Sequence, residues 1–203
     1  MSCAVFRADL DLIVDLIPRQ ARVLDLGCGD GELLVMLAQR KAVIGRGVEL
    51  SETGVRRCVA RGLSVRQGNI DEGLGDYPTH SFDYVVLSQT LPYVDDLKVT
   101  LCETLRVGTR AIVSFPNLGH WRNRLALLLK GRLPPTAFSA CAWNQSPRER
   151  SVSIADFVSF CAAEEIDIVQ RLLLSDKGPL AGFRAKSLWA ATGLFVLSLQ
   201  DRK

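Results

Sequence analysis

Three glycines and two acids carry most of the chemical information in this chain. The apolar strand-like run around Val23 and Leu24 meets Asp25, and Gly27, Gly29 and Gly31 follow at Gly-x-Gly-x-Gly spacing. Eighteen residues beyond Gly31, Glu49 closes a second apolar run that starts at Val43. Glycines at such a position let the backbone turn sharply and let a ligand approach without a Cβ in the way. An acid about 20 residues further on lies at the tip of the neighbouring strand, where it accepts both hydroxyls of a ribose. The pattern predicts a nucleotide site at the C-terminal edge of a parallel sheet.

The spacing also bears on which nucleotide. Dinucleotide sites use Gly-x-Gly-x-x-Gly, with pyrophosphate resting on the helix N-terminus. Here the third glycine comes one residue early, and Asp30 and Glu32 put two negative charges into the first helical turn. Those charges suit the helix dipole and repel a pyrophosphate. A cationic sulfonium with an amino-acid tail fits, namely S-adenosylmethionine (SAM), with Asp25 placed to hold its ammonium directly or through water. The competing reading is a tight strand-to-helix turn with no ligand, which leaves the Asp25 and Glu49 spacing unexplained.

Such a loop works only where strands and helices hold it at a sheet edge. Residues 8–17 space their apolar side chains helically and stop at Pro18. Strands are predicted at Arg22–Leu26, Val43–Glu49, Leu63–Arg66, Phe82–Leu87 and Arg110–Phe115. Helices fall between them. One runs from Asp30 to about Arg40 with Leu33, Leu34 and Leu37 as its buried stripe. Ser51 caps the next, to about Ala60, and a third spans about Asp95 to Arg106. The fourth strand is nearly all apolar, as strands covered on both faces are. The alternation predicts an α/β fold with a doubly wound, mostly parallel sheet and helices on both faces.

Beyond the fifth strand the texture changes. Asn117–Lys130 has the pattern of a helix closed by Gly131, whereas Leu133–Pro147 has three prolines and no periodicity, as in a loop or lid. Residues 153–164 look helical, and Ile166–Leu174 and Gly193–Leu199 look like two final strands. The expected organisation is one domain over residues 1–203 with a lid or insertion at about 117–152.

Composition narrows the class. At 203 residues, 48% hydrophobic and 23% charged, the chain can bury a substantial core. No apolar run reaches the roughly 18–20 residues needed to span a bilayer. Asp9, Asp11 and Asp15 break the first twenty residues, which is not a signal peptide. The six cysteines, at 3, 28, 58, 102, 141 and 161, are scattered with no Cys-x-x-Cys. That argues against a disulfide framework or a zinc site and for a reduced, cytoplasmic setting. Cys28, inside the glycine loop, fits a space-filling role better than a nucleophilic one. Residues 101–150 carry eight Lys/Arg against two Asp/Glu, while residues 1–100 carry 11 against 14. The basic segment is either a solubilising surface or one for an anionic substrate or acidic partner. No interleaving of aromatic and basic residues points to nucleic acid.

Longer strings allow a family comparison. Gly-Val-Glu-Leu (47–50), Gly-Asn-Ile-Asp-Glu-Gly-Leu (68–74) and Ser-Phe-Asp-Tyr-Val-Val-Leu-Ser-Gln-Thr-Leu (81–91) are three of them. The fourth, over residues 106–122, includes Ser-Phe-Pro-Asn and His-Trp-Arg. Together they resemble the MetW family of methionine-biosynthesis proteins, within the class I SAM-dependent methyltransferases, over about residues 20–175. The resemblance implies a seven-stranded sheet whose final hairpin places one antiparallel strand. It also implies SAM as cofactor and work beside a MetX-type homoserine O-acyltransferase. Carried over by position, Asp25, Gly27, Cys28, Gly29 and Gly31 form the methionine end of the SAM site. Glu49 takes the ribose and Leu50 packs against the adenine. Asn69 and Ile70 follow the third strand, where such enzymes often present an acid to the adenine amino group; an amide oxygen accepts that bond without charge assistance. Ser88 and Gln89 face the sulfonium. In the lid the chain departs from the family pattern: Trp143-Asn144-Gln145-Ser146-Pro147-Arg148-Glu149-Arg150 lacks an expected acid and histidine.

Methyl transfer asks mainly for in-line positioning and exclusion of water. A base is needed only where the acceptor must lose a proton. His80 and His120 are the only histidines, and an unperturbed imidazole titrates near neutrality. His80, in a polar turn, fits a solvated role. His120, just after the fifth strand, is the candidate base or substrate contact, against a plain helix-start role. Trp121 and Trp143 either wall a pocket or pack the lid. No Asn-Pro-Pro-Tyr-like string follows the fourth strand, which argues against amino methylation of nucleobases. Three readings stay open. One is a methyltransferase for a small acceptor such as a carboxylate or thiol, with Arg122 or Arg124 holding an anionic substrate. Another is a non-catalytic SAM-sensing subunit of the acyltransferase. The last is a ligand-free interaction module.

Overall fold

The computed structural model describes residues 8–131, 150–175, 178–180 and 186–199. The proposed loop at 133–147, Trp143 and the departing segment up to Glu149 lie outside them.

In chain order the elements are α1 (Ala8–Leu16), β1 (Arg22–Leu26), α2 (Glu32–Lys41), β2 (Ile44–Glu49), α3 (Glu52–Ala60) and β3 (Val65–Gln67). There follow β4 (Phe82–Ser88), α4 (Leu97–Val107), β5 (Gly108–Pro116), α5 (Trp121–Lys130), α6 (Ile154–Ala163), β6 (Ile166–Ser175), β7 (Gly178–Pro179), α7 (Lys186–Trp189) and β8 (Thr192–Leu199). They form one sheet in the order β3-β2-β1-β4-β5-β8-β6-β7. The first five strands in that order pair in parallel. β8 runs antiparallel between β5 and β6. The predicted α/β architecture is therefore present, but the sheet has eight strands rather than seven. The extra one, β7, is two residues long and folds back onto Leu174 and Ser175. A Gly-Pro pair has no periodicity, so nothing in the sequence marks it as a strand.

Local chemistry fixes the helix ends. Ser51 caps α3 as predicted, its hydroxyl accepting the Gly54 N–H at 3.0 Å. Asp96 caps α4 and Ser153 caps α6 in the same way. α2 starts two residues later than predicted because Gly31, with φ 79°, occupies its cap. α5 starts four residues later than predicted, since Asn117 to His120 form a turn in which the Asn117 N–H donates to the Ala191 carbonyl.

Each face of the sheet carries its own apolar layer. On one, Leu10, Ile13, Val14 and Ile17 of α1 meet Leu33 and Leu37 of α2 over Val23, Val86 and Ile112. On the other, α4 and α6 cover Leu24, Val85, Val113 and Phe115. There Phe115, Phe157 and Phe195 form a ring cluster with centroids 4.8, 5.6 and 4.9 Å apart. Burial of side chains this size contributes about 2–3 kcal/mol each. Among the described residues no helix is long and apolar enough to cross a membrane.

The chain leaves β1 for β2 on one side and later reaches β4 on the other. This is the switch point of an open α/β sheet, where a crevice forms beyond the strands' carboxyl ends.

Candidate functional site

The glycine loop sits at that crevice. Gly27 adopts φ 73°, and its N–H and that of Cys28 both donate to the Val48 carbonyl, at 2.8 and 3.1 Å. A Cβ at Gly27 would stand 2.7 Å from the Thr90 side chain, so only glycine fits. At Gly29 a Cβ would meet no heavy atom within 4 Å: the backbone there faces open space. Gly31 closes the loop by donating to the Cys28 carbonyl at 2.9 Å. Asp30 pairs with Arg61 at 2.9 Å, which holds the first turn of α2 against the end of α3.

Glu49 ties the loop to the neighbouring strand. Its carboxylate accepts the Gly29 N–H at 2.9 Å through Oε2 and the Ser51 N–H at 2.9 Å through Oε1. Each oxygen keeps a second lone pair for a ligand hydroxyl. Asp25 is buried at the C-terminal end of β1.

A cavity of about 330 Å³ opens beside this frame, within the range of small-molecule sites. Of the residues the sequence singled out, Gly27, Glu49, Leu50, Asn69, Ile70, Ser88 and Gln89 line it. Asp25, Cys28, Gly29, Gly31 and His120 are not in that lining. Leu50 stands 65% exposed at the cavity. Asn69 caps the short 3-10 turn Ile70–Glu72, its Oδ1 accepting the Asp71 N–H at 3.1 Å.

Sequence reading missed several lining residues. Asp71 supplies a carboxylate two positions after Asn69 and also accepts the Asp95 N–H at 2.9 Å. Thr90 lines the cavity and donates its hydroxyl to the Leu26 carbonyl at 2.9 Å. Tyr93 and Val94 also line the cavity, beside a point where the returning chain is held. There the Arg150 N–H donates to the Pro92 carbonyl at 2.6 Å and its guanidinium to the Asp95 carbonyl at 2.8 Å. The missed signal was the short turn Leu91–Tyr93, too brief for any periodicity.

The remaining candidates have other surroundings. His120 is buried at the N-cap of α5, where Nδ1 accepts the Arg122 N–H at 3.4 Å. Trp121 packs on Trp189, centroid to centroid 5.5 Å. Arg124 donates to the Gly119 carbonyl at 2.8 Å, and His80 is exposed in its turn. Among the described residues no cluster of His, Cys, Asp and Glu is arranged to hold a metal.

Cys28 points into a small apolar cluster with Leu34 and Cys58, its Sγ 3.8 Å from that of Cys58. Burial, then the nearby Asp25, pushes its thiol well above the usual range. Burial likewise raises Cys58, and pushes Cys161 up to about 11. A folded-state pKa above the unfolded value gives stability that is complete below the unfolded pKa and lost as pH rises toward the folded one. The melting temperature is therefore expected to fall as pH climbs past about 9. At neutral pH a thiol reagent should label exposed Cys102 ahead of Cys28, Cys58 and Cys161, as peptide mapping by mass spectrometry would show. Early labelling of Cys28 would contradict its placement under the loop.

Known proteins resemble this chain in sequence and in fold. The family model described as methionine biosynthesis protein MetW matches residues 7–197. The bifunctional methionine biosynthesis protein MetXA/MetW of Rhodopirellula baltica is 35% identical over 158 residues, 73% of this chain. The matched part is 25% of that relative's length. A SAM-dependent methyltransferase from Thermotoga maritima superposes with TM-score 0.67 at 20% identity, covering 94% of this chain and 87% of the other. One from Archaeoglobus fulgidus gives 0.65 at 15%, covering 94% and 91%. The fold is that of the SAM-dependent methyltransferases. The chain itself belongs to the MetW family of methionine biosynthesis proteins.

Proposed function

We propose that this protein binds SAM in the crevice beyond β1 and β4, transfers its methyl group to a small acceptor, and works beside a homoserine O-acyltransferase. The observation that carries the reading is the Glu49 carboxylate, fixed between the glycine loop and the start of α3 at the mouth of a cavity of ligand size. Glu49 would accept the ribose hydroxyls and exposed Leu50 would cover the adenine. Asn69 or Asp71 would take the adenine amino group. Asp25 and the loop backbone would hold the amino-acid tail, against the open space at Gly29. When bound, SAM supplies a methyl group already activated on a sulfonium, so the protein's part is to orient it and exclude water. Such a role implies the cytoplasm, where its thiols stay reduced.

A second reading, a SAM-sensing subunit without turnover, is favoured by one observation. The described lining holds the carboxylates of Glu49 and Asp71 but no histidine or lysine, and His120 is engaged in a cap. Calorimetric titration with SAM and S-adenosylhomocysteine tests both readings, since binding of neither ligand would sink them together. Transfer of radiolabel from methyl-labelled SAM then separates catalysis from sensing.

Support for the partner comes from the Rhodopirellula relative, whose name joins MetXA and MetW in one protein, and from α5. That helix buries no side chain, and Leu128 and Leu129 stand 82% and 71% exposed beside Arg122, Arg124 and Lys130. Exposed apolar residues rimmed by charge mark interaction surfaces. The double substitution Leu128→Glu and Leu129→Glu is expected to weaken co-purification with the acyltransferase at least tenfold while the thermal melt stays in place. Undiminished association would remove α5 from the interface.

A further inference from the structure

Gln89 follows β4 directly and holds a left-handed backbone, φ 60°, which a residue with a Cβ keeps only when its surroundings impose it. The surroundings are visible. Its N–H lies 3.0 Å from the Ser114 carbonyl and 3.2 Å from Ser114 Oγ, donating toward both. Its side-chain Nε2 donates to Asp9 Oδ2 at 3.2 Å. Asp9 comes from α1 and is 5% exposed, and the same oxygen accepts Ser88 Oγ at 3.0 Å and Ser114 Oγ at 2.9 Å.

This arrangement decides which way the amide faces. Asp9 Oδ2 accepts two hydroxyls as well as the amide, so Gln89 turns its NH2 toward Asp9 and its carbonyl away. That carbonyl, Oε1, is buried and has no hydrogen-bond partner among the described residues, although Gln89 lines the cavity. A buried acceptor left unpaired is costly, and a ligand that brings a donor relieves it. In the reading given above, the donors of SAM are matched elsewhere: ribose hydroxyls by Glu49, the adenine amino group by Asn69 or Asp71, the ammonium by Asp25.

We propose that Gln89 Oε1 is the hydrogen-bond acceptor of a subsite for a second ligand at the methyl end of the SAM site. It selects an amine or an alcohol, which brings an N–H or O–H. A carboxylate or a thiolate has none to give and would be disfavoured beside the carbonyl. Asp9 is the positioning residue, acting through the amide it orients. The inference rests on the SAM reading, and it moves the acceptor class away from the carboxylate that the sequence suggested, and from a thiol once it is ionised.

Sinefungin tests this, because it carries an amine where SAM carries its sulfonium methyl. The unmodified chain is titrated with sinefungin and with S-adenosylhomocysteine, and the ratio of the two affinities is read, so that losses common to both cancel. Sinefungin is expected to bind about tenfold more tightly, the worth of one additional hydrogen bond. In Gln89→Met, close to the native side chain in length, the ratio should fall to near one. Asp9→Asn keeps Gln89 but offers its carbonyl a donor, and should lower the ratio as well. A purely structural role for Asp9 would change the melting temperature and leave the ratio alone. If the unmodified chain prefers neither ligand, or if Asp9→Asn keeps the full ratio, the subsite is overturned. If it binds neither ligand, the SAM reading falls first and this inference with it.

Discussion

Asn117→Asp is expected to lower the melting temperature by roughly 10 °C at pH 8, about 3–4 kcal/mol for a chain of this size. Asn117 is 3% exposed and satisfied in every direction. Its Nδ2 donates to the carbonyls of Ser187 and Ala190 at 2.7 and 2.8 Å, and its Oδ1 accepts the N–H groups of Gly119 and Ile154 at 3.0 and 3.2 Å. One side chain thus joins the end of β5, the start of α6 and the segment leading into β8. Aspartate keeps the acceptor but sets a second oxygen against two carbonyl oxygens, and burying a charge there is costly. The introduced carboxyl would hold its proton more tightly in the fold than in the unfolded chain, where it titrates near 3.9. With the folded pKa raised, the protonated form sustains stability at low pH, and stability is lost as pH rises through that pKa. The deficit should therefore be smaller at pH 5 than at pH 8 when followed by circular dichroism. Equal melting of variant and parent at pH 8 would mean that Asn117 does not hold these segments together.

Glu49→Ala is expected to weaken SAM binding more than about 100-fold. Hydrogen bonds to a charged group contribute roughly 1.5–3 kcal/mol each, and two lost ribose contacts already amount to that factor. The substitution also releases the N–H groups of Gly29 and Ser51, so the loop that would hold the amino-acid tail loses its tie to β2. Packing adds to this: a Cβ on Gly54 would stand 2.7 Å from Glu49 Cγ, so helix α3 is fitted closely around this side chain. Glu49→Gln keeps one acceptor oxygen and should fall between parent and alanine variant. Full affinity in the alanine variant, measured by calorimetry, would show that the ribose is held elsewhere.

Much of this frame is legible from residue order. Gly27, Gly29, Gly31 and Glu49 announce the crevice because only a few residue types allow that turn and that acceptor, and their spacing follows from one strand-helix-strand unit. The strands β1, β2, β4 and β5 are legible because apolar runs bounded by polar turns have few alternatives. In the sequence Asp9 is no more than a charge that interrupts an apolar stretch. Its role depends on α1 lying over the ends of β4 and β5, a contact between residues about 80 and 105 positions apart. The spacing after the third strand points to position 69 for an acid, whereas the short turn carries the Asp71 carboxylate to the cavity from a different register. The late start of α5 has the same kind of cause: residues 117–120 have helical character in isolation, but Asn117 is held by partners 37 to 73 residues away.

The place of β8 bears on how the molecule is made. Residues 192–199 are the last described strand, yet they lie between β5 and β6, and Phe195 completes the ring cluster with Phe115 and Phe157. A nascent chain that has emerged only as far as β6 has the inner edge of β5 unpaired and Phe115 and Phe157 without their third ring. Unpaired edges of this sort recruit other chains. Synthesis therefore passes through an interval in which the nucleotide crevice can already be outlined by β1, β2 and β4 while the sheet beside it is still open. Slowing translation ahead of residue 192 should lengthen that interval and raise the share of newly made protein held by chaperones.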